Sequence, residues 1–174
     1  SCFQKDILNL VYLCLHYGLE EVADYWHQVI KINDYQKDRF AQKIIDHFKG
    51  DITGKKISIL GWAFKANTND SRESPSIYVV EKLFKAGAIL EIYDPMVSKE
   101  SIFRDIGFYW EASKTEDLKS RISVLDSIST LDLNVNAVAI LTEWEAFKNL
   151  DFSEIVVFDG RGVVAKSNYS IGKA

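Results

Sequence analysis

Proline is almost absent from this sequence, with 2 in 174 residues, and glycine is sparse at 9. That scarcity excludes collagen-like and Pro/Gly-rich disordered chains. Cysteine is as rare: Cys2 and Cys14 are too few for a disulfide framework and show no C-x-x-C or Cys/His ligand spacing, so a reducing, cytoplasmic setting is expected. His16, His27 and His47 are scattered along the chain and form no metal motif. Positive charge is not in excess. With 21 Lys plus Arg against 25 Asp plus Glu, the net charge is -4 and the pI about 5.4, which disfavours a nucleic-acid binder. The longest apolar runs, around Ile57 to Ala63 and Val135 to Leu141, are strand-sized, far short of the roughly 18 to 20 residues a spanning helix needs. No signal peptide is visible. The chain begins Ser1-Cys2-Phe3 without a Met, so it reads as processed or as a piece of something longer.

What is present is an ordinary packed composition, 47% hydrophobic and 26% charged. A chain of this length should bury roughly 70% of its unfolded surface and needs no disulfide or metal to hold a core. From Asp6 onward Ile7, Leu8, Val11, Tyr12 and Leu15 recur at helical spacing, and Gly18 interrupts them as a helix-ending residue would. A second, long helix follows. Its apolar stripe runs through Val22, Tyr25, Trp26, Val29, Ile30, Phe40, Ile44, Ile45 and Phe48, with Glu20, Glu21, Asp24, Lys31, Lys37, Asp38 and Lys43 on the other face. A stripe this extended is expected to pack against a partner chain, so a dimer is anticipated.

After Gly50 to Gly54 the pattern changes to short apolar runs alternating with helical segments, the mark of a parallel-sheet α/β domain. Two regions result, residues 1–50 helical and 51–174 α/β. Strands are expected at Lys56 to Gly61, Ile89 to Tyr93, Ile122 to Leu125, Val138 to Leu141 and Ile155 to Phe158. Ser74 caps and Pro75 opens a helix running to about Lys85 and stopped by Gly87. Further helices fit Lys99 to Asp105 and Glu143 to Leu150; the tail after Val164 is polar and gives no signal.

The loop from Gly61 to Ser74 falls where doubly wound sheets bind ligands, outside the carboxyl ends of strands and before a helix N-terminus. One glycine stands where G-x-G-x-x-G has three, so this is no dinucleotide fingerprint, although Lys65 and Arg72 could neutralise phosphates. A solvated loop with incidental charges is the alternative. Arg161, between Gly160 and Gly162, could reach across the same sheet edge or pair with Asp159 in a turn; Asp94-Pro95 reads as a turn. Cys2, beside Lys5 at a helix start, sits where a thiol pKa is lowered, though a cysteine near a chain end is by itself more often a bystander than a nucleophile.

Together, Ser1-Cys2-Phe3-Gln4-Lys5-Asp6, Gly61-Trp62-Ala63-Phe64-Lys65, Ser71-Arg72-Glu73-Ser74-Pro75, Tyr93-Asp94-Pro95, Leu141-Thr142-Glu143-Trp144 and Phe158-Asp159-Gly160-Arg161 resemble the UDP-glucose 6-dehydrogenases, in order and across nearly the whole chain. The resemblance implies a central dimerisation region followed by a Rossmann-like UDP-sugar domain, with the family's N-terminal NAD domain absent. It implies an oxidoreductase that takes UDP-glucose to UDP-glucuronate with two NAD per turnover. Cys2 would be the nucleophile, giving a thiohemiacetal and then a thioester that water hydrolyses; a thiol suits both steps. Asp6 would orient or activate water. Phe64, Lys65 and Arg161 would contact substrate, and Cys2, Phe3, Gln4, Lys5 and Arg72 the cofactor. The glycine-rich stretch before the Cys, the general-base Glu and its partner Lys are missing, and Gly162 replaces an Arg, so this chain alone is expected to be inactive. The alternatives are a UDP-sugar-binding dimer without chemistry, or part of a GDP-mannose or other nucleotide-sugar dehydrogenase.

Overall fold

A computed structural model describes residues 2–110, 117–132 and 134–171, with Cys2 described only through its backbone. Helix α1 (Cys2–His16) and helix α2 (Glu20–His47) form a helical hairpin. Gly18, at φ +71°, turns the chain between them, and the Leu19 amide returns to the Cys14 carbonyl at 2.8 Å. The second half of α2 enters the main core: Phe40, Ala41, Ile44 and Ile45 are buried with the strand aliphatics.

The remainder alternates β1 (Lys56–Leu60), α3 (Pro75–Lys85), β2 (Ile89–Tyr93), α4 (Lys99–Tyr109), α5 (Asp117–Arg121), β3 (Ile122–Val124), β4 (Ala137–Ile140), β5 (Val157–Asp159) and β6 (Tyr169–Ser170). The sheet order is β3-β2-β1-β4-β5-β6 and every pairing is parallel. This is the Rossmann-like arrangement, with its topological switch point between β1 and β4. Both are buried on both faces, which is why they read as unbroken apolar runs rather than alternating ones. Two asparagines set register at strand starts in the same way. Asn136 exchanges main-chain and side-chain bonds with Lys56, and Asn168 does so with Val157, each side-chain oxygen accepting the first amide of the neighbouring strand at 2.8–2.9 Å.

Helix α3 has the bounds its sequence signals set, with the Ser74 hydroxyl accepting from the Ser76 amide and Pro75 at the first turn. Three expectations need correction. The helix expected over 143–150 is only a 3-10 turn, Glu145–Phe147, because Trp144 is extended (φ -75°, ψ 135°) with its indole committed to Asp94. The polar tail contains β6, which exists through pairing with β5 rather than through its own propensity. Lys37 does not lie on the solvent face of α2: it is buried, its ammonium 3.9 Å from the centre of the Tyr78 ring and 2.6 Å from Asp34. Among the described residues no helix is long and apolar enough to cross a membrane.

Candidate functional site

The switch point brings the loops after β1, β4 and β5 to one edge of the sheet. Gly61 leaves β1 at φ +102°, and a Cβ there would lie 2.4 Å from the Thr142 side chain, so the β1 and β4 exits touch backbone to side chain and admit only glycine. Thr142 closes the contact by donating to the Ala63 carbonyl at 2.6 Å.

Asp94, at the end of β2, is the hub of this edge. One carboxylate oxygen accepts from the Trp62 and Ala63 amides at 2.7 and 2.9 Å and from the Trp144 indole at 3.1 Å; the other accepts from the Met96 and Val97 amides at 2.9 Å. It is the turn former its Asp-Pro context announces, and it also fixes the two neighbouring loops. Asp159, the last residue of β5, does similar work, accepting from the amides of Arg161, Gly162 and Val164.

The Gly61–Ser74 loop is not a solvated excursion. Phe64 donates to the Asp70 carbonyl, and the Trp62 indole and Ser71 hydroxyl both donate to buried Asp105 on α4, at 2.9 and 2.5 Å. Arg72 is held to Asp70 through two nitrogens at 2.9 and 3.0 Å, and this hydrogen-bonded guanidinium lowers the Asp70 pKa to about 2.

Phe64, Lys65 and Arg161 meet in one open cleft of about 490 Å³, whose opposite wall is Phe3 and Gln4 of α1 and Asn33 and Gln36 of α2. Arg161 is not paired with Asp159 through its side chain. Its guanidinium bonds the Leu141 carbonyl at 2.8 Å and the Phe64 carbonyl at 3.2 Å, with Glu143 at 3.6 Å, so a cation is fixed on the sheet edge rather than left to swing. Lys65 is exposed on the rim. Arg72 lies elsewhere, in a second recess with Arg104, Phe108 and Tyr109. Lys5 and Asp6 are exposed on the first turns of α1, and the Cys2 side chain lies outside the described residues.

Glu73 was not singled out by the sequence. It lines the cleft, stands at φ +57°, a conformation that costs a non-glycine residue about 1 kcal/mol or more, and accepts from Tyr78 at 2.6 Å and Gln4 at 3.2 Å on the same oxygen. Burial, followed by the Glu73 carboxylate, pushes the Tyr78 pKa well above the usual phenol value. No sequence pattern announces a left-handed glutamate; its place beside the Ser-Pro helix start is the only clue.

The profile of the UDP-glucose/GDP-mannose dehydrogenase family, UDP binding domain, matches residues 58–166. The chain is similar to UDP-glucose 6-dehydrogenase 1 of Arabidopsis thaliana, 43% identical over 198 aligned residues that take in 99% of the chain and 41% of the relative. UDP-glucose 6-dehydrogenase 3 of the same plant is 45% identical over 197, with the same coverage. The chain therefore spans about two fifths of the length of the curated relatives it matches, and because the aligned stretch exceeds 174 residues, those relatives carry residues within it that this chain omits. The solved UDP-glucose dehydrogenase from the hyperthermophilic archaeon Pyrobaculum islandicum superposes on 98% of the chain, and on 36% of its own, with a TM-score of 0.75 and 28% identity.

Proposed function

The chain belongs to the UDP-glucose/GDP-mannose dehydrogenase family and carries its UDP-binding domain, and from that premise we propose that it is the C-terminal part of a UDP-glucose 6-dehydrogenase which holds UDP-glucose in the cleft between α1, α2 and the Gly61–Ser74 loop. The observation that carries this reading is the convergence of Phe64, Lys65 and Arg161 on that one cleft. Arg161, braced by two carbonyls, offers a preorganised cation to the nucleotide-sugar anion; Lys65 adds a second charge at the rim, and Phe64 an aromatic face. Residues 1–50 are proposed as the central dimerisation region and 51–174 as the sugar-nucleotide domain. The exposed side chains of Tyr12, Tyr17 and Tyr25 form the proposed contact between copies. A cytoplasmic setting fits the reading.

NAD supplies, when bound, the hydride acceptor for both oxidations at the sugar C6, alcohol to aldehyde and thiohemiacetal to thioester. This chain fits it as a contributor of side chains and not as a cradle: the first βα turn has a single glycine, and Arg72 lies in a different recess from Phe3 and Gln4. Arg72, Phe3, Gln4 and Lys5 would be its contacts here, with the dinucleotide domain supplied by the rest of the protein. Cys2 is proposed to add its sulfur to the C6 aldehyde, the carbonyl π electrons passing to oxygen, and to hold the carbon until the acyl stage is hydrolysed. Asp6 is proposed to position the hydrolytic water.

Calorimetric titration of this chain with UDP-glucose, GDP-mannose and NAD tests the reading. UDP-glucose should bind preferentially, and Arg161→Ala should weaken it about tenfold or more. Tighter GDP-mannose binding would move the chain to another branch of the family; no binding of either sugar nucleotide would sink the proposal.

A further inference from the structure

We propose that Glu73 is a positioning residue that latches the first turn of α1 onto the cleft, and through it sets the place of Cys2; the role assigned to Cys2 rests on the function proposed above. Helix α1 packs mainly on α2, and among the described residues its one side-chain hydrogen bond to the sheet domain runs from Gln4 to Glu73. Gln4 is two residues from Cys2 on the same helical turn, so this bond anchors the stretch of backbone that carries Cys2. The receiving end is built to hold still. Glu73 shares its oxygen between Gln4 and Tyr78, its amide donates to the Tyr109 hydroxyl at 3.4 Å, and the Tyr78 ring lies beneath the buried Lys37 ammonium of α2. Three helices, α1, α3 and α4, thus meet on a residue held in a left-handed conformation at the cleft wall, beside the cleft's Lys65 and Arg161, and α2 supports it through Tyr78.

The chain itself supplies the test, because Cys14 is buried and serves as an internal reference for Cys2. Alkylation by iodoacetamide, followed by mass spectrometry with and without UDP-glucose, is compared in the wild type, Glu73→Ala, Glu73→Gln and Gln4→Ala. In Glu73→Ala the ligand-free alkylation of Cys2 should change about threefold or more, and protection by UDP-glucose should fall from about fivefold to below about twofold, with Cys14 still unreactive. Glu73→Gln should restore the wild-type behaviour, since its single carbonyl oxygen accepts from both Gln4 and Tyr78. Gln4→Ala should reproduce Glu73→Ala without touching the left-handed position, and decides the matter if Glu73→Ala exposes Cys14. Wild-type rates in Glu73→Ala and Gln4→Ala, or a Glu73→Gln variant that behaves like Glu73→Ala, would overturn the latch. A wild type that UDP-glucose neither binds nor protects would instead overturn the functional reading, while the ligand-free rates still judge the latch.

Discussion

The helical arm and the sheet unit solve the same burial problem differently. In the sheet unit, β1 and β4 bury every aliphatic side chain, and Phe40, Ala41, Ile44 and Ile45 of α2 complete that core. Along α1 and the first half of α2, Tyr12 and Tyr25, members of equally periodic apolar stripes, remain 64% and 70% exposed. Amphipathic periodicity therefore states that a face wants covering, not what covers it. The aromatic composition of the exposed stripe matters: Tyr tolerates water at its hydroxyl while offering a large apolar area, the chemistry that the proposed contact between copies calls for.

The largest expected effect lies at the sheet edge. Asp94→Ala would orphan the Trp62 and Ala63 amides and the Trp144 indole, each worth about 1–3 kcal/mol, so urea denaturation should show a loss of about 4 kcal/mol or more. A matched pair then separates the two regions. Ile44→Ala, at 0% exposure, should cost about 2–5 kcal/mol, whereas Tyr25→Ala, at 70%, should stay within about 0.5 kcal/mol and weaken self-association in sedimentation. Equal destabilisation by both would erase the distinction. Ser74→Ala removes the cap of α3 and should cost about 1 kcal/mol, seen as a drop in Tm of about 2–4 °C. The smallest effect is electrostatic. Asp70 titrates at about 2 in the folded chain against an ordinary 3.8, so its pairing stabilises fully above pH 4 and is lost as pH falls from about 4 to 2. Because Arg72 is 70% exposed, the contribution should stay below about 1 kcal/mol, and Asp70→Asn should flatten that part of the acid limb.

The elements legible in the sequence were those whose signals are local. Ser74, Pro75 and Gly87 bound α3 with no help from the rest of the chain, and the β1 and β2 runs could be read from their apolar content. The 143–150 segment forms a single turn of helix because its first residues serve tertiary anchoring, Thr142 being tied to Ala63 and Trp144 to Asp94. Lys37 misled, since no pattern reveals that Tyr78 and Asp34 will solvate an ammonium. Strand-end position pointed to Lys65, Arg72 and Arg161, and only the resemblance grouped Phe64, Lys65 and Arg161, which the fold brings to one cleft while Arg72 lies in another. Glu73 could not be named from either, because its importance comes from partners 69 and 5 residues away.

The central pairing of β1 with β4 also bears on how the chain reaches this state. Lys56 and Asn136, which open that pairing, are 80 residues apart, whereas the α1–α2 hairpin closes over the short turn at Gly18. Loop closure makes the second event fast and the first slow, so the hairpin should be present before the sheet has its middle. Its Phe40 and Ile44 then await strands not yet assembled, a transient apolar surface on the side of α2 that the finished fold conceals, and the interval in which this chain is most prone to aggregate.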